Sequence, residues 1–319
     1  MLRANIVVLR QILRPNSLEM LNHSFRKYAG AGNDFIVLNA FERELGLSES
    51  EERALVRAAC SRKGTGLGSD GLILLTPSAL APFGMRFYNP DGSYGALCGN
   101  GSRCAVQAAE DLGIVSGSET DFEVLGKVNH AEILGDQSVR VHFQDPTKMK
   151  FNFKIRVGKK DFITASYVDV GSQHAIVFFD DLRVLENGTL ENFDIVRWGS
   201  TLRWHPDFAP VGVNANFTEL RSDADGPYLR IRTFERGVEG ETLACGTGCM
   251  STAIAAYAVG RLRELPIRLL TQSGEFVKVG FRADGDYVRD LWLEGSAVRG
   301  LEGELSFDPR SSDLTYFAK

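Results

Sequence analysis

The feature that most constrains this chain is a motif it carries twice. Leu97-Cys98-Gly99-Asn100-Gly101-Ser102-Arg103-Cys104 runs into Ala105-Val106-Gln107-Ala108-Ala109. Ala244-Cys245-Gly246-Thr247-Gly248-Cys249 runs into Met250-Ser251-Thr252-Ala253-Ile254-Ala255-Ala256. Each copy is Cys-Gly-x-Gly followed by a helix pattern. Upstream, Arg86-Phe87-Tyr88-Asn89 precedes Cys98 much as Arg232-Thr233-Phe234-Glu235 precedes Cys245. A repeat of this kind implies two similar halves. The segment after Cys245 is apolar nearly all round, so it reads as a buried helix with strands wrapped about it.

A thiol at the start of a helix is chemically loaded. The first turn has free N–H groups and a partial positive charge. That environment lowers a cysteine pKa below its free value near ~8.5. The same N–H groups can hold a carboxylate, and Gly99, Gly101, Gly246 and Gly248 let the backbone approach it. Two such motifs facing each other suit taking a proton from one side of a carbon and returning one on the other. That is racemisation or epimerisation without a cofactor. Two plainer readings compete: Cys98 and Cys245 as small buried hydrophobes, or as zinc ligands. The spacings Cys98 to Cys104 and Cys245 to Cys249 are not the paired C-x-x-C of structural zinc. Cys60, Cys104 and Cys249 fall on helix patterns and read as core.

The remaining sequence sets bounds. The length of 319 residues allows one large domain or two medium ones. A net charge of −5 argues against a nucleic-acid partner, and no apolar run reaches the length of a membrane span. Five cysteines, two of them read as working thiols, fit a reducing compartment, the cytoplasm. Residues 1–24 carry Arg3, Arg10 and Arg14 with no acid before Glu19. They read as a targeting segment or as sequence upstream of a true start at Met20, and are expected outside the fold. Ser48 with Glu51 forms a capping box for a helix over Glu49–Arg62. Gly66-Leu67-Gly68-Ser69-Asp70-Gly71 matches G-x-G-x-x-G. A helix pattern precedes it and a strand follows, the wrong order for a dinucleotide site. Leu229–Phe234 alternates strictly and reads as a half-buried strand delivering Glu235 and Arg236 beside the Cys245 loop. Arg236 there could grip a carboxylate through two bonds.

Taken together, the chain resembles the diaminopimelate epimerase family. The matching segments are Ala31-Gly32-Asn33-Asp34-Phe35, Gly66–Gly71, Asn89-Pro90-Asp91-Gly92-Ser93, both cysteine motifs, Val213-Asn214 and Phe234-Glu235-Arg236-Gly237. The resemblance implies an α+β fold of two pseudo-symmetric domains, each a curved, mostly antiparallel sheet around a central helix. On that pattern residues 25–142 form the first domain and 143–295 the second. Residues 296–308 return to the first domain, and 309–319 trail as a tail.

The resemblance also implies a function: conversion of LL-2,6-diaminopimelate to its meso form by a two-base mechanism, with no cofactor and no metal. Cys245 would accept the α-proton and Cys98 donate one. His174 and Glu235 would tune the thiols. Asn33, Asn89, Gly99, Asn100, Asn214, Glu235, Arg236, Gly246 and Thr247 would hold the diamino dicarboxylic acid. The family's Gly-Asn-Pro-His is Gly171-Ser172-Gln173-His174 here, so Ser172 takes an Asn's place beside the substrate. A homodimer is implied as well, although the family's dimer-contact aromatic is Leu301 in this chain. Two alternatives stay open: a related racemase acting on histidine or proline, and a non-catalytic binder of amino acids.

Overall fold

The computed structural model describes residues 20–41, 44–95, 98–183, 185–186 and 188–319. The first half contains β1 Leu21–Gly30, β2 Asn33–Asn39, α1 Glu49–Cys60, β3 Gly71–Thr76, β4 Phe83–Tyr88, α2 Gly99–Asp111, β5 Glu119–Val124, β6 Lys127–Ile133 and β7 Ser138–His142. The second contains β8 Lys148–Arg156, β9 Phe162–Asp169, β10 Gln173–Phe178, α3 Phe179–Leu182, α4 Ile195–Arg203, β11 Asn214–Asp223, β12 Gly226–Glu235, β13 Gly240–Thr242, α5 Gly246–Ala258, β14 Ile267–Leu270, β15 Phe276–Asp284 and β16 Tyr287–Ser296. β17 Val298–Asp308 and β18 Asp313–Ala318 follow.

Strand pairing shows the duplication directly. One run is β17-β1-β2-β3-β4-β5-β6-β7. The other is β8-β9-β10-β11-β12-β14-β15-β16. Along each run the neighbours pair antiparallel, antiparallel, parallel, antiparallel, parallel, antiparallel, antiparallel. Parallel neighbours need a crossover, and each crossover carries a helix. α1 joins β2 to β3 as α4 joins β10 to β11, and α2 joins β4 to β5 as α5 joins β12 to β14. The runs join where β7 pairs antiparallel with β16, Val141 opposite Leu293.

Each half therefore has three layers. α2 is buried from Asn100 to Ala109 and α5 from Gly248 to Ala256. α1 and α4 cover the outer faces of their sheets, Leu55 and Val56 against Ile36 and Leu38, Trp198 and Leu202 against Phe217 and Phe234. β2 thus buries both its faces, which is why Phe35-Ile36-Val37-Leu38 is a continuous apolar run. The Ser48–Glu51 capping box forms at the start of α1.

Two boundaries expected from the sequence are corrected. Residues 21–24 belong to β1, where Leu21 is buried and pairs with Phe307; residues 1–19 lie outside the described residues. The expected tail contains β18, which pairs with β17 and buries Leu314. Alternating Leu21-x-His23-x-Phe25 carries the strand signal at the first boundary, and the arginines upstream masked it.

A chain starting at Phe25 should melt several degrees below one starting at Met20. Burying a leucine stabilises by about 1.5–3 kcal/mol, and the deletion also removes β1 pairing with β17. Equal melting temperatures by calorimetry would show that the start of β1 contributes nothing.

Candidate active site

The two helices of the repeat meet end to end. Cys98 is the N-cap of α2 in an extended conformation (φ −100°, ψ 117°), and its sulfur accepts from the Gly101 N–H at 3.4 Å. Cys245 is the N-cap of α5 (φ −131°, ψ 110°), with its sulfur 3.4 Å from Thr247 Oγ1. A Cβ added to Gly246 would sit 3.8 Å from Gly99 Cα and 3.0 Å from Leu293 Cδ2. One added to Gly99 would sit 3.3 Å from the same Leu293 carbon and 3.4 Å from Phe143 Cζ. Glycine at both places lets the two N-termini abut over Leu293. Their positive ends point into one space, which suits a bound anion.

Burial works against that field. It pushes the Cys98 and Cys245 thiols above their ordinary value, and the Glu235 carboxylate raises both further. The N–H groups of Asn100 and Gly101 and the Arg103 charge oppose the rise at Cys98, and the Thr247 hydroxyl opposes it at Cys245. Glu235, at the end of β12, accepts from Thr242 Oγ1 at 3.0 Å, and burial raises its own pKa. One carboxyl group is thus sensed at both sulfurs.

In the second half, β10 and β11 run parallel with His174 opposite Asn214. His174 is fully buried. Its Nε2 lies 2.9 Å from Thr247 Oγ1, and burial, helped by the Arg236 charge, holds its pKa down at about 3. Asn214 donates to Ser172 Oγ at 2.9 Å and to the Gln173 carbonyl at 3.1 Å, and accepts from the Arg236 N–H at 2.8 Å. Arg236 Nη1 donates to Gln173 Oε1 at 2.9 Å, while Gln173 Nε2 donates to Asp169. Gln173, which with Ser172 departs from the family pattern, therefore tethers the guanidinium expected to hold a carboxylate.

The first half has a matching network. Asn100 Nδ2 donates to Asn33 Oδ1 at 2.7 Å, and Asn33 Nδ2 donates to Asp70 Oδ2 at 3.0 Å. Arg103 Nη2 donates to Asn100 Oδ1 at 3.0 Å and fixes which end of that amide faces Asn33. Arg103 is fully buried, and its hydrogen-bond partners are neutral oxygens: Asn100 Oδ1 and the Gly99 and Ser296 carbonyls. Asn33 is the first residue of β2 and His174 the second of β10, and each bonds the third residue of its Cys-Gly-x-Gly. Asn89, also expected at the site, joins neither network. Its side chain donates to Ser93 Oγ at 3.0 Å within the turn after β4. Among the described residues no three His, Cys, Asp or Glu side chains group as metal ligands.

Sequence reasoning passed over Arg103, Asn216 and Thr233. Asn216 follows Asn214 by two positions and so shares its strand face, a signal that was present. Arg103 gave none, since a helical arginine ordinarily faces water.

The paired sheets and their two cysteine-capped helices define a two-half α+β fold that several solved structures share. Solved structures with the same fold include a phenazine biosynthesis protein of the PhzF family from Bacillus anthracis: TM-score 0.65, 15% identity, 89% of this chain and 98% of that one. Another is a hydroxyproline epimerase from Agrobacterium vitis with bound trans-4-hydroxy-L-proline: TM-score 0.63, 18% identity, 90% and 93% covered. The family model for diaminopimelate epimerase matches residues 25–149. Diaminopimelate epimerase of Chlorobaculum tepidum is 39% identical over 87% of this chain and 99% of its own, and that of Aquifex aeolicus 36% over 88% and 97%. The chain belongs to the diaminopimelate epimerase family and is an isomerase.

Replacing Glu235 with Gln should lower the apparent pKa of both Cys98 and Cys245, because it removes a negative charge that raises both. Alkylation by iodoacetamide, followed peptide by peptide against pH, should start at lower pH in the variant. An unmoved onset at both sulfurs would show that Glu235 does not tune them.

Proposed function

We propose that the protein interconverts LL-2,6-diaminopimelate and meso-diaminopimelate, with Cys98 and Cys245 as the two bases. The observation that carries this reading is the abutment of two cysteine-capped helix N-termini at Gly99 and Gly246. The α-carboxylate would bind the converging N–H groups of Gly99, Asn100, Gly246 and Thr247, where negative charge building on it in the transition state is stabilised. The α-ammonium would pair with Glu235. That pairing cancels the charge that raises both thiols, so substrate itself helps to form the thiolate. One sulfur, as thiolate, takes the α-proton. The other, as thiol, gives its proton to the opposite face, and the two exchange protonation states at the end of the turnover. In the forward direction Cys245 accepts and Cys98 donates; the reverse reaction swaps them. No cofactor is required by this scheme.

The distal amino-acid group would lie toward Ser172, Asn214 and Arg236, with Asn33 and Asn89 on the facing half. Ser172 is shorter than the family's Asn, and its hydroxyl already accepts from Asn214. A water can bridge the remaining gap.

Cys98→Ser and Cys245→Ser should each abolish epimerisation of LL-diaminopimelate, assayed by chiral chromatography and by α-proton exchange in deuterated water. A serine hydroxyl is far too weak an acid to stand in for either thiol. Near wild-type turnover in one of them would remove that residue from the mechanism. If the wild type ignores diaminopimelate yet racemises proline or histidine, the substrate assignment is wrong.

Ser172→Asn should lower KM for diaminopimelate with little change in kcat. A hydrogen bond to a charged group is worth about 1.5–3 kcal/mol, and this one would be made equally in ground and transition states. A rise in KM would show that Ser172 is not beside the substrate.

A further inference from the structure

The hydrogen bonds behind Cys245 have a direction, and it starts at a residue outside the proposed substrate contacts. Asn216 is fully buried on β11, opposite Thr233 of β12. Its Nδ2 lies 3.2 Å from the Ala175 carbonyl and 2.9 Å from His174 Nδ1, and its Oδ1 lies 2.9 Å from Thr233 Oγ1. A carbonyl only accepts, so the Asn216 amide must present its NH2 to Ala175. The Thr233 hydroxyl then donates to Oδ1. The amide has no freedom to flip.

The second hydrogen of that NH2 points at His174 Nδ1, which must be the bare, accepting nitrogen. The ring proton is therefore on Nε2 and is donated to Thr247 Oγ1 at 2.9 Å. The other neighbour of Nε2, Asn214 Nδ2 at 3.5 Å, has both hydrogens committed to Ser172 and Gln173. With its oxygen accepting from His174, the Thr247 hydroxyl is left to donate to Cys245 Sγ, 3.4 Å away.

We infer that Asn216 is a positioning residue: by fixing the Nε2–H tautomer of His174 it turns the Thr247 hydroxyl toward Cys245, so that the chain Thr233, Asn216, His174, Thr247 ends as a hydrogen-bond donor to the sulfur. His174 is then neither a proton carrier nor a cation beside the thiolate. It is a neutral relay whose polarity is set from behind. Among the described residues the Cys98 side has no such device, since Asn100 gives its amide hydrogen to Asn33 and the Cys98 sulfur receives the Gly101 N–H. The inference uses the proposed function only for the role of Cys245.

The test has two readouts that need no substrate. Nitrogen-15 NMR of the full chain, with the His174 signal identified by its loss in His174→Gln, should show a neutral ring bare at Nδ1 at neutral pH. A proton on Nδ1, in a neutral or a charged ring, would overturn the proposal. Cys245 alkylation against pH should shift to higher pH in Asn216→Leu and in Thr247→Val, and return toward wild type in Thr247→Ser. Besides Thr247, the groups that bear on Cys245 are Glu235 from β12 and the Gly248 N–H and Cys249 from its own helix; His174 from β10, with Arg236 beside it, reaches it through Thr247, and on the abutting α2 the Arg103 charge acts on Cys98 and Cys249. None of these is substituted. The Asn216→Leu and Thr247→Val double variant should be no worse than Thr247→Val alone, because both break one chain. Additive shifts, or an unmoved Cys245, would reduce Asn216 to a packing residue. Should Asn216→Leu fail to fold, Asn216→Ala, which removes the amide without adding bulk, takes its place. With diaminopimelate as substrate, each single variant should lower kcat/KM about tenfold or more where Cys245 is the base, the loss expected for a hydrogen bond to a charged group. A chain that leaves diaminopimelate unchanged would undo the proposed function while the NMR and alkylation results still decided the relay.

Discussion

Everything in this molecule depends on two helices being brought together by their positive ends. Like ends of helix dipoles repel, and the arrangement is costly unless a negative group occupies the space between them. The fold pins α2 and α5 there anyway, because each is the buried axis of its own sheet and the sheets are stitched together at β7 and β16. The stitch supplies Leu293, whose side chain lies under both Gly99 and Gly246. The unfavourable meeting is thus held by hydrophobic burial elsewhere, and the result is a standing demand for an anion in the cleft.

The charged groups around the cleft can be understood against that demand. Arg103 is fully buried, and among the described residues its hydrogen-bond partners are neutral oxygens. An arginine so placed is expensive, and burial lowers its pKa accordingly. It adds positive potential at the start of α2, while Glu235 opposes it at both thiols. Burial and the Glu235 charge thus both favour the protonated form of the two thiols. On the proposed function, a zwitterionic amino acid would supply a carboxylate for the helix ends and an ammonium for Glu235 in one molecule, a combination that would favour a thiolate when substrate is present.

A second anchor closes one side of the junction. The turn between β1 and β2 reverses through Ala31 (φ 53°) and Gly32 (φ 88°), and their N–H groups donate to the Glu275 carboxylate at 3.2 and 3.1 Å. Ser296 donates to the same carboxylate, and its carbonyl accepts from Arg103. The matching turn at Gly171 lies on the other half with open space around it. The two halves share a plan, and this carboxylate anchor lies at the β1–β2 turn.

The sequence by itself determined a good deal. The doubled Cys-Gly-x-Gly before apolar runs gave two similar halves, buried central helices and a pair of thiols at helix starts, because these follow from local spacing and from a helix with no polar face. Alternation in Leu229–Phe234 placed Glu235 at a strand end, and Ser48 with Glu51 marked a helix start. What only the tertiary structure decided depends on contacts between residues distant along the chain. That Leu293 lies under both glycines, that Arg103 faces inward, that Gln173 tethers Arg236, and that Asn216 selects the tautomer of His174 are all settled by how strands pair. β1 beginning at Leu21 and β18 closing the far edge belong with these, since a strand gains its stability from a partner, here β17 in both cases. A local pattern can name a thiol and its helix, but the direction of a hydrogen bond forty residues across the chain exists only once the sheet has formed.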